Sequence, residues 1–528
     1  MKRVLCLILA TVMMVSMIGC GENKTTTSEP TDDEISSSVD GFDAMFGGNA
    51  VTGDSTNSNS TSSNGTGGNG TGSNSTGSNA TGSSGTGSIG QVTVAPPSKE
   101  FPGRVTNLKG RTIRILIWDQ AQTGSDGSAA ANEFKKLNEK IKKTYNCELE
   151  FKYEAGQDFM TSVAAGAPNA DIWGIGNIAT FLNAYTSGLL TPLNDLGVID
   201  FKDNSRYTSV TELSKFNGQY YGVGPRTYGQ LQCAWAQVML VNFDLLKKAN
   251  SKYTPEYIYG LQNSNKWTWA EFEKISNDLI TAGIQPVEDF GAYVGTNSLY
   301  QTLLNANNAD WIARDGNSAR FTGGEGAALE VLNKYETWSK AGIIKQVKDY
   351  ATGVNNFSSG KTAFLSSYLH ATIKAPIIAM KNYGVIYPPM GPNTKERKPY
   401  TGNASFAVIP KNVKDPEAVA TILMALCTPI YTAEQDRVLA LQSFTNGSKL
   451  PQSVNTLMEI YDSTMKNHGP YTLWYGVAGG ASIDTNESND GWYDLVRKIG
   501  NQNLTSAGAV SSAKKTYDTK LKSVFTVR

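Results

Sequence analysis

The sequence predicts an α/β protein, and three observations predict it. Arg111 to Trp118 (RTIRILIW) is a β-branched apolar run of the kind that forms a buried strand. Ala129 to Thr144 then carries Phe134, Leu137 and Ile141 at helical spacing, with charges on the opposite face. Cys147 to Tyr153 reads as a second strand, and the alternation repeats: Ala170 to Trp173 as strand, Ile178 to Thr186 as helix, Gly188-Leu189-Leu190 as strand. Apolar strands separated by helices imply parallel β/α units. In open parallel sheets a ligand sits beyond the carboxyl ends of the strands, which points to Trp118, Asp119 and the loop from Trp173 to Asn177.

At 528 residues the chain exceeds what one hydrophobic core serves, so at least two domains plus unstructured segments are expected. Lys+Arg and Asp+Glu are both 47; without the leader that contains Lys2 and Arg3 the balance is 45 against 47, a charge of −2. That balance, with no cluster of basic residues interleaved with aromatics, argues against nucleic acid as a partner.

Residues 1–19 read as a lipoprotein signal peptide. Lys2 and Arg3 form the charged start, and Val4 to Ile18 is an apolar run too short to span a bilayer comfortably. The run ends in Ser16-Met17-Ile18-Gly19-Cys20, which resembles a bacterial lipobox, so Cys20 is expected to carry lipid and to hold the protein at the membrane. Cys6 leaves with the leader. Cys147, Cys233 and Cys427 remain, an odd set with no C-x-x-C pair, expected as small buried hydrophobes rather than a disulfide framework.

Residues 20–100 read as the lipidated cysteine followed by a disordered linker. From Ser55 to Ser88 every residue except Ala80 is Gly, Ser, Thr or Asn, a composition that buries too little apolar surface to fold. As a flexible coil of about 80 residues it would reach roughly 50 Å, letting the folded part range above the membrane. Folding is expected to begin near Phe101.

The order of segments from 104 to 528 resembles the extracellular solute-binding proteins of ABC importers, sugar-binding type (family 1, maltose-binding-protein-like). The residues that carry the resemblance are I-L-I-W-D at 115 to 119, A-P-N-A-D-I at 167 to 172, S-G-L-L-T-P-L at 187 to 193 and N-G-Q-Y-Y-G-V at 217 to 223. L-V-N-F-D-L-L-K-K-A at 240 to 249, W-T-W-A-E-F at 267 to 272 and A-N-N-A-D-W at 306 to 311 continue it. F-S-S-G-K-T-A-F at 357 to 364, Y-P-P-M-G-P at 387 to 392 and V-I-P-K-N-V-K-D-P-E-A-V at 408 to 419 complete the series. Phe243 departs from the Lys usual at its position. In W-T-W-A-E-F, Thr268 and Glu271 have the spacing of a capping box.

The resemblance implies a two-lobed periplasmic-binding-protein fold (type II-like) with a hinge between the lobes. Lobe 1 would comprise 101–229 and 401–450, lobe 2 230–400 and 451–528, with crossings near 229 to 240, 400 to 408 and 448 to 453. It also implies an oligosaccharide ligand, closure on that ligand, and delivery to ABC transporter permease subunits.

Sugars present apolar C–H faces and many hydroxyls, so their sites need aromatic platforms beside planar hydrogen-bonding groups. The segments that the resemblance places at the cleft supply Trp118, Asp119, Trp173, Asn177, Arg226, Trp235, Tyr368, Asn403 and Trp492 as ligand-binding candidates. Core packing competes for each aromatic. Trp267, Trp269, Trp311 and Trp338 read as structural.

Motifs for other chemistry fail. Gly174-Ile175-Gly176 follows a strand and opens a helix as a dinucleotide fingerprint does, but on the third strand rather than the first; its amides suit a ligand oxygen better. Gly360-Lys361-Thr362 mimics a phosphate loop whose first glycine would be residue 355, which is Asn. With His370 and His468 the only histidines, no metal or cofactor and no His-based catalysis is expected. Two further functions compete with import: presenting a ligand to a membrane kinase as a sensor, and surface glycan hydrolysis by a carboxylate pair.

Overall fold

The computed structural model describes residues 101, 107–116, 129–152, 156–176, 178–226, 233, 236–290, 299–315, 318–397, 400, 404–445, 450–466 and 491–525. Every described residue belongs to one unit within 44–528. The expected leader, Cys20 and the linker lie outside the described residues.

The first sheet is built from β1 (Arg111–Leu116), β2 (Cys147–Lys152), β3 (Ile172–Ile175) and β13 (Phe406–Val408), in the order β13-β3-β1-β2. β1 runs parallel to β2 and to β3, as alternating strands and helices require, while β13 returns antiparallel to β3 with Phe406 opposite Ile175. The helix Ala129–Tyr145 seals this sheet by burying Phe134, Leu137 and Ile141, and the helix Pro416–Leu426 buries Val419, Ile422 and Leu423 in the same core. Asp171, nearly buried, fixes the start of β3 by accepting from Arg111 and Arg114 side chains at 3.1 Å and from the Arg114 amide at 2.9 Å.

The second sheet contains β6 (Gln237–Asn242), β7 (Gln285–Asp289), β10 (Ile344–Gln346), β11 (Thr362–Tyr368) and β12 (Tyr383–Ile386), ordered β10-β7-β11-β6-β12. Every residue of β6, β11 and β12 is buried, the signature of strands covered on both faces. Two hairpins complete the strands: β4 (Lys215–Phe216) with β5 (Gln219–Tyr220), and β8 (Ile312–Asp315) with β9 (Ser318–Phe321). The aromatic core beside the second sheet includes Trp267, Trp269, Trp311 and Trp338, all buried as expected of structural tryptophans.

Two local expectations give way. The strand expected at Gly188 to Leu190 is only a bridge from Leu190 to Pro410, because Gly188 at φ +66° closes the preceding helix and leaves too few residues. The capping box at Thr268 does not close: Thr268 caps the helix in extended conformation without a side-chain bond. The Glu271 carboxylate instead accepts from the Tyr257 hydroxyl at 2.8 Å and from Lys274 at 3.1 Å.

Chain crossings between the sheets are tied to the second one. The Gln237 amide donates to the Tyr400 carbonyl at 2.8 Å, and a buried side-chain relay extends from the same residue. The Tyr493 hydroxyl donates to Gln301 Oε1 at 2.7 Å, Gln301 Nε2 to Asn305 Oδ1 at 3.1 Å, and Asn305 Nδ2 to Gln237 Oε1. The helix Ala433–Thr445, expected within lobe 1, packs against the helix Pro451–Lys466 and against the Leu369–Ile373 turn that follows β11.

Candidate functional site

The parallel register of β7 and β11, with Phe364 opposite Val287, brings their carboxyl ends to one edge of the second sheet. Phe290 follows β7 there, Tyr368 ends β11, and the turn Leu369–Ile373 presents His370. A third element delivers Tyr350. Asp349 caps the helix Tyr350–Ser358 by accepting from the Thr352 amide at 2.8 Å, which fixes Tyr350 in its first turn.

The four rings form a shelf. Phe290 meets Tyr350 edge-on at 5.3 Å between centroids, and Tyr350 and Tyr368 each lie 5.8 Å from the His370 ring. Tyr350 Oη and His370 Nε2 are 3.4 Å apart, and Ser367 Oγ reaches Tyr350 Oη at 3.5 Å. Phe290 and Tyr368 are buried and support the shelf, whereas Tyr350 and His370 are partly exposed.

Electrostatics make this shelf neutral. Desolvation, with a smaller contribution from Lys374, pushes His370 down to about 3, and desolvation pushes the Tyr350 phenol up to about 12. Both groups are uncharged near neutral pH, so they can exchange hydrogen bonds with hydroxyls while offering no charge to an ion.

The sequence candidates fall into three sets. Trp118, Asp119, Asn177, Trp235 and Asn403 lie outside the described residues; Trp118 and Asp119 come two and three positions after β1 ends. Trp173, Tyr368 and Trp492 are buried. Trp173 sits in β3 with its ring 4.4 Å from Phe159. Trp492 stacks on Trp311 at 5.9 Å and meets Phe321 edge-on at 5.0 Å, within the aromatic core around β9.

Arg226 is partly exposed; its amide donates to the Arg206 carbonyl at 2.7 Å and its guanidinium to the Asn204 carbonyl at 3.3 Å. It also acts electrostatically on Tyr461, whose hydroxyl donates to Asp436 in the helix that rests on the His370 turn. Of the candidates, the described shelf includes only Tyr368.

Tyr350 and His370 are not among the ligand-binding candidates that the sequence offers. The available signal was position: His370 is two residues beyond Tyr368, but a histidine invites a metal or catalytic reading first. Among the described residues no group of three or more His, Cys, Asp or Glu could hold a metal, and no helix is long and apolar enough to cross a membrane. Cys147, Cys233 and Cys427 are free and buried.

No family model and no curated protein matches the chain. Solved structures do. A family 1 extracellular solute-binding protein from Bifidobacterium longum subsp. infantis aligns with a TM-score of 0.54 at 18% identity, over 78% of this chain and 99% of that one. The cyclic α-maltosyl-1,6-maltose binding protein from Arthrobacter globiformis gives 0.54 at 15% identity, over 78% and 99%. The galacto-N-biose/lacto-N-biose I-binding protein of an ABC transporter from Bifidobacterium longum, in complex with lacto-N-biose, gives 0.53 at 15% identity, over 79% and 98%. The chain has the two-lobed α/β fold of these solute-binding proteins.

Proposed function

We propose that this chain is an extracellular solute-binding protein, anchored through a lipid on Cys20, that captures a carbohydrate between its two lobes and delivers it to the permease of an ABC importer. The observation that carries the reading is the neutral shelf of Tyr350 and His370. It lies at the carboxyl ends of the parallel neighbours β7 and β11 in a mixed sheet, the end of parallel strands at which open α/β sheets bind ligands. An aromatic face with uncharged hydrogen-bonding groups suits the C–H face and hydroxyls of a neutral sugar. The likeness in fold to binding proteins for maltosyl and lacto-N-biose sugars supports the same ligand class.

Capture would proceed by closure. A ligand that touches both lobes binds the closed arrangement better than the open one and shifts the population towards it. The turn that carries His370 packs on the helix Ala433–Thr445, a described contact through which an occupied shelf would act on the last crossing. Trp118, Asp119, Asn177, Trp235 and Asn403 remain proposed ligand contacts, and Arg226 a proposed polar contact beside the first crossing.

The test is calorimetric titration with neutral oligosaccharides, followed by chromatography of the recovered sugar. Saturable binding with the sugar returned intact supports a receptor. Release of shorter sugars that one carboxylate substitution abolishes overturns it in favour of a hydrolase.

A further inference from the structure

The helix Ala129–Tyr145 buries one stripe against the first sheet and turns the other to solvent. Lys135, Lys136, Lys140 and Lys143 are exposed there and Lys142 is half-buried. Helical spacing puts Lys136, Lys140 and Lys143 in one row and Lys135 and Lys142 beside it. Five lysines against Glu133 and Glu139 give this helix a charge of +3, in a chain whose balance without the leader is −2.

Part of that charge is neutralised locally. Lys136 reaches Glu133 at 2.6 Å, and Lys142 sits between Glu139 at 3.5 Å and Glu148 at 3.0 Å. Lys135, Lys140 and Lys143 meet no carboxylate among the described residues. The helix dipole favours Lys142 and Lys143 in the last turn but gives no reason for Lys135 and Lys136 in the first half. Lys136 and Lys140, four residues apart, repel one another. The arrangement therefore does little for the helix itself, and it leaves three ammonium groups for an anion outside the chain.

A second observation says where that anion is met. Phe101, which directly follows the expected linker, packs 5.8 Å from the Tyr145 ring, and Lys140 Nζ lies 4.9 Å from the Phe101 ring. The chain thus enters the fold beside the basic face. A tether joined there, with its far end in a bilayer, raises the local concentration of lipid headgroups at this face.

We propose that the exposed face of the helix Ala129–Tyr145 docks on an anionic phospholipid surface, Lys135, Lys140 and Lys143 making the contact. The proposal takes its membrane from the proposed lipid on Cys20, which it supplements as a second signal. Each ammonium near such a surface favours it about fivefold, so three give roughly a hundredfold, enough to orient a tethered protein.

The test uses the chain from residue 21, which lacks the leader and the lipid and keeps every described residue. Co-flotation is measured with phosphatidylglycerol vesicles and with phosphatidylcholine vesicles. The expected result is partition onto the anionic vesicles roughly a hundredfold above that onto the neutral ones, weakening as salt is raised. Lys135→Glu/Lys140→Glu/Lys143→Glu should lose the preference while keeping its circular dichroism. Lys135→Gln/Lys143→Gln, which leaves Lys140 on Phe101, should lose roughly twentyfold. No partition onto phosphatidylglycerol, equal partition onto both lipids, or unchanged partition in both variants overturns the proposal. Vesicle binding by a chain that takes no sugar would leave this face standing while the proposed receptor failed. Sugar binding without vesicle binding would overturn this face alone.

Discussion

Tyr350 Oη lies 3.4 Å from His370 Nε2 across the carboxyl ends of β7 and β11, and both rings are partly exposed while Phe290 and Tyr368 behind them are buried. Of the shelf rings, this half-buried pair reaches nearer to solvent than the fully buried tyrosine.

Truncating that pair should weaken binding more than it weakens the fold. Tyr350→Ala and His370→Ala are each expected to raise Kd for the sugar roughly 30-fold, the cost of removing an anchor from a recognition site. Tyr350→Phe, which keeps the ring, should lose less. Calorimetry alongside circular dichroism checks both halves of the statement.

Acid should reveal His370. Its ordinary value is 6.5 and burial lowers it to about 3, so between these pH values the unfolded chain holds a proton that the native chain lacks. This group therefore makes stability rise with pH through that window and contributes no slope above it. Urea unfolding from about pH 4 to about pH 8 should show a smaller loss on acidification in His370→Gln than in the wild type. Sugar affinity should stay flat from about pH 8 down to about pH 5, because the imidazole does not charge there.

Trp492 separates core from cleft. Its ring is buried against Trp311 and Phe321, so Trp492→Ala should destabilise the protein by roughly 3–5 kcal/mol. Sugar affinity, measured where the variant remains folded, should change little. A large loss of affinity with unchanged thermal stability would return Trp492 to the ligand.

Gly384 in β12 reports on packing of the second sheet. A β-carbon there would lie 2.6 Å from Tyr259 Oη and 2.7 Å from Phe243 Cε2, both buried. Gly384→Ala should cost about 1–3 kcal/mol in denaturant unfolding, as overpacking does.

Much of the fold was legible because periodicity writes it directly. The helix expected at 178 to 186 has those bounds, and the strands at 111 and 147 begin where their apolar runs begin. The strand at 188 failed because a single left-handed glycine outweighed two leucines, and the cap at Thr268 because Glu271 found Tyr257, a residue distant in sequence. The site was less legible. Trp173, Tyr368 and Trp492 have the residue type a sugar platform needs, but type does not report exposure, and all three are buried. Tyr350 and His370 meet only because a helix start and a turn from different segments converge, a fact carried by topology rather than by either local motif.

The central claim is that the neutral shelf binds a sugar. The most direct measurement is thermal unfolding of the wild type and of a Tyr350→Ala/His370→Ala double variant against neutral oligosaccharides, with amino acids and peptides as controls. At 100 times its Kd a ligand adds about 2.7 kcal/mol, so the wild type should gain a clear rise with one class of glycan, which the double variant loses at the same concentration. A rise with peptides but with no glycan, or an equal rise in the double variant, would contradict it.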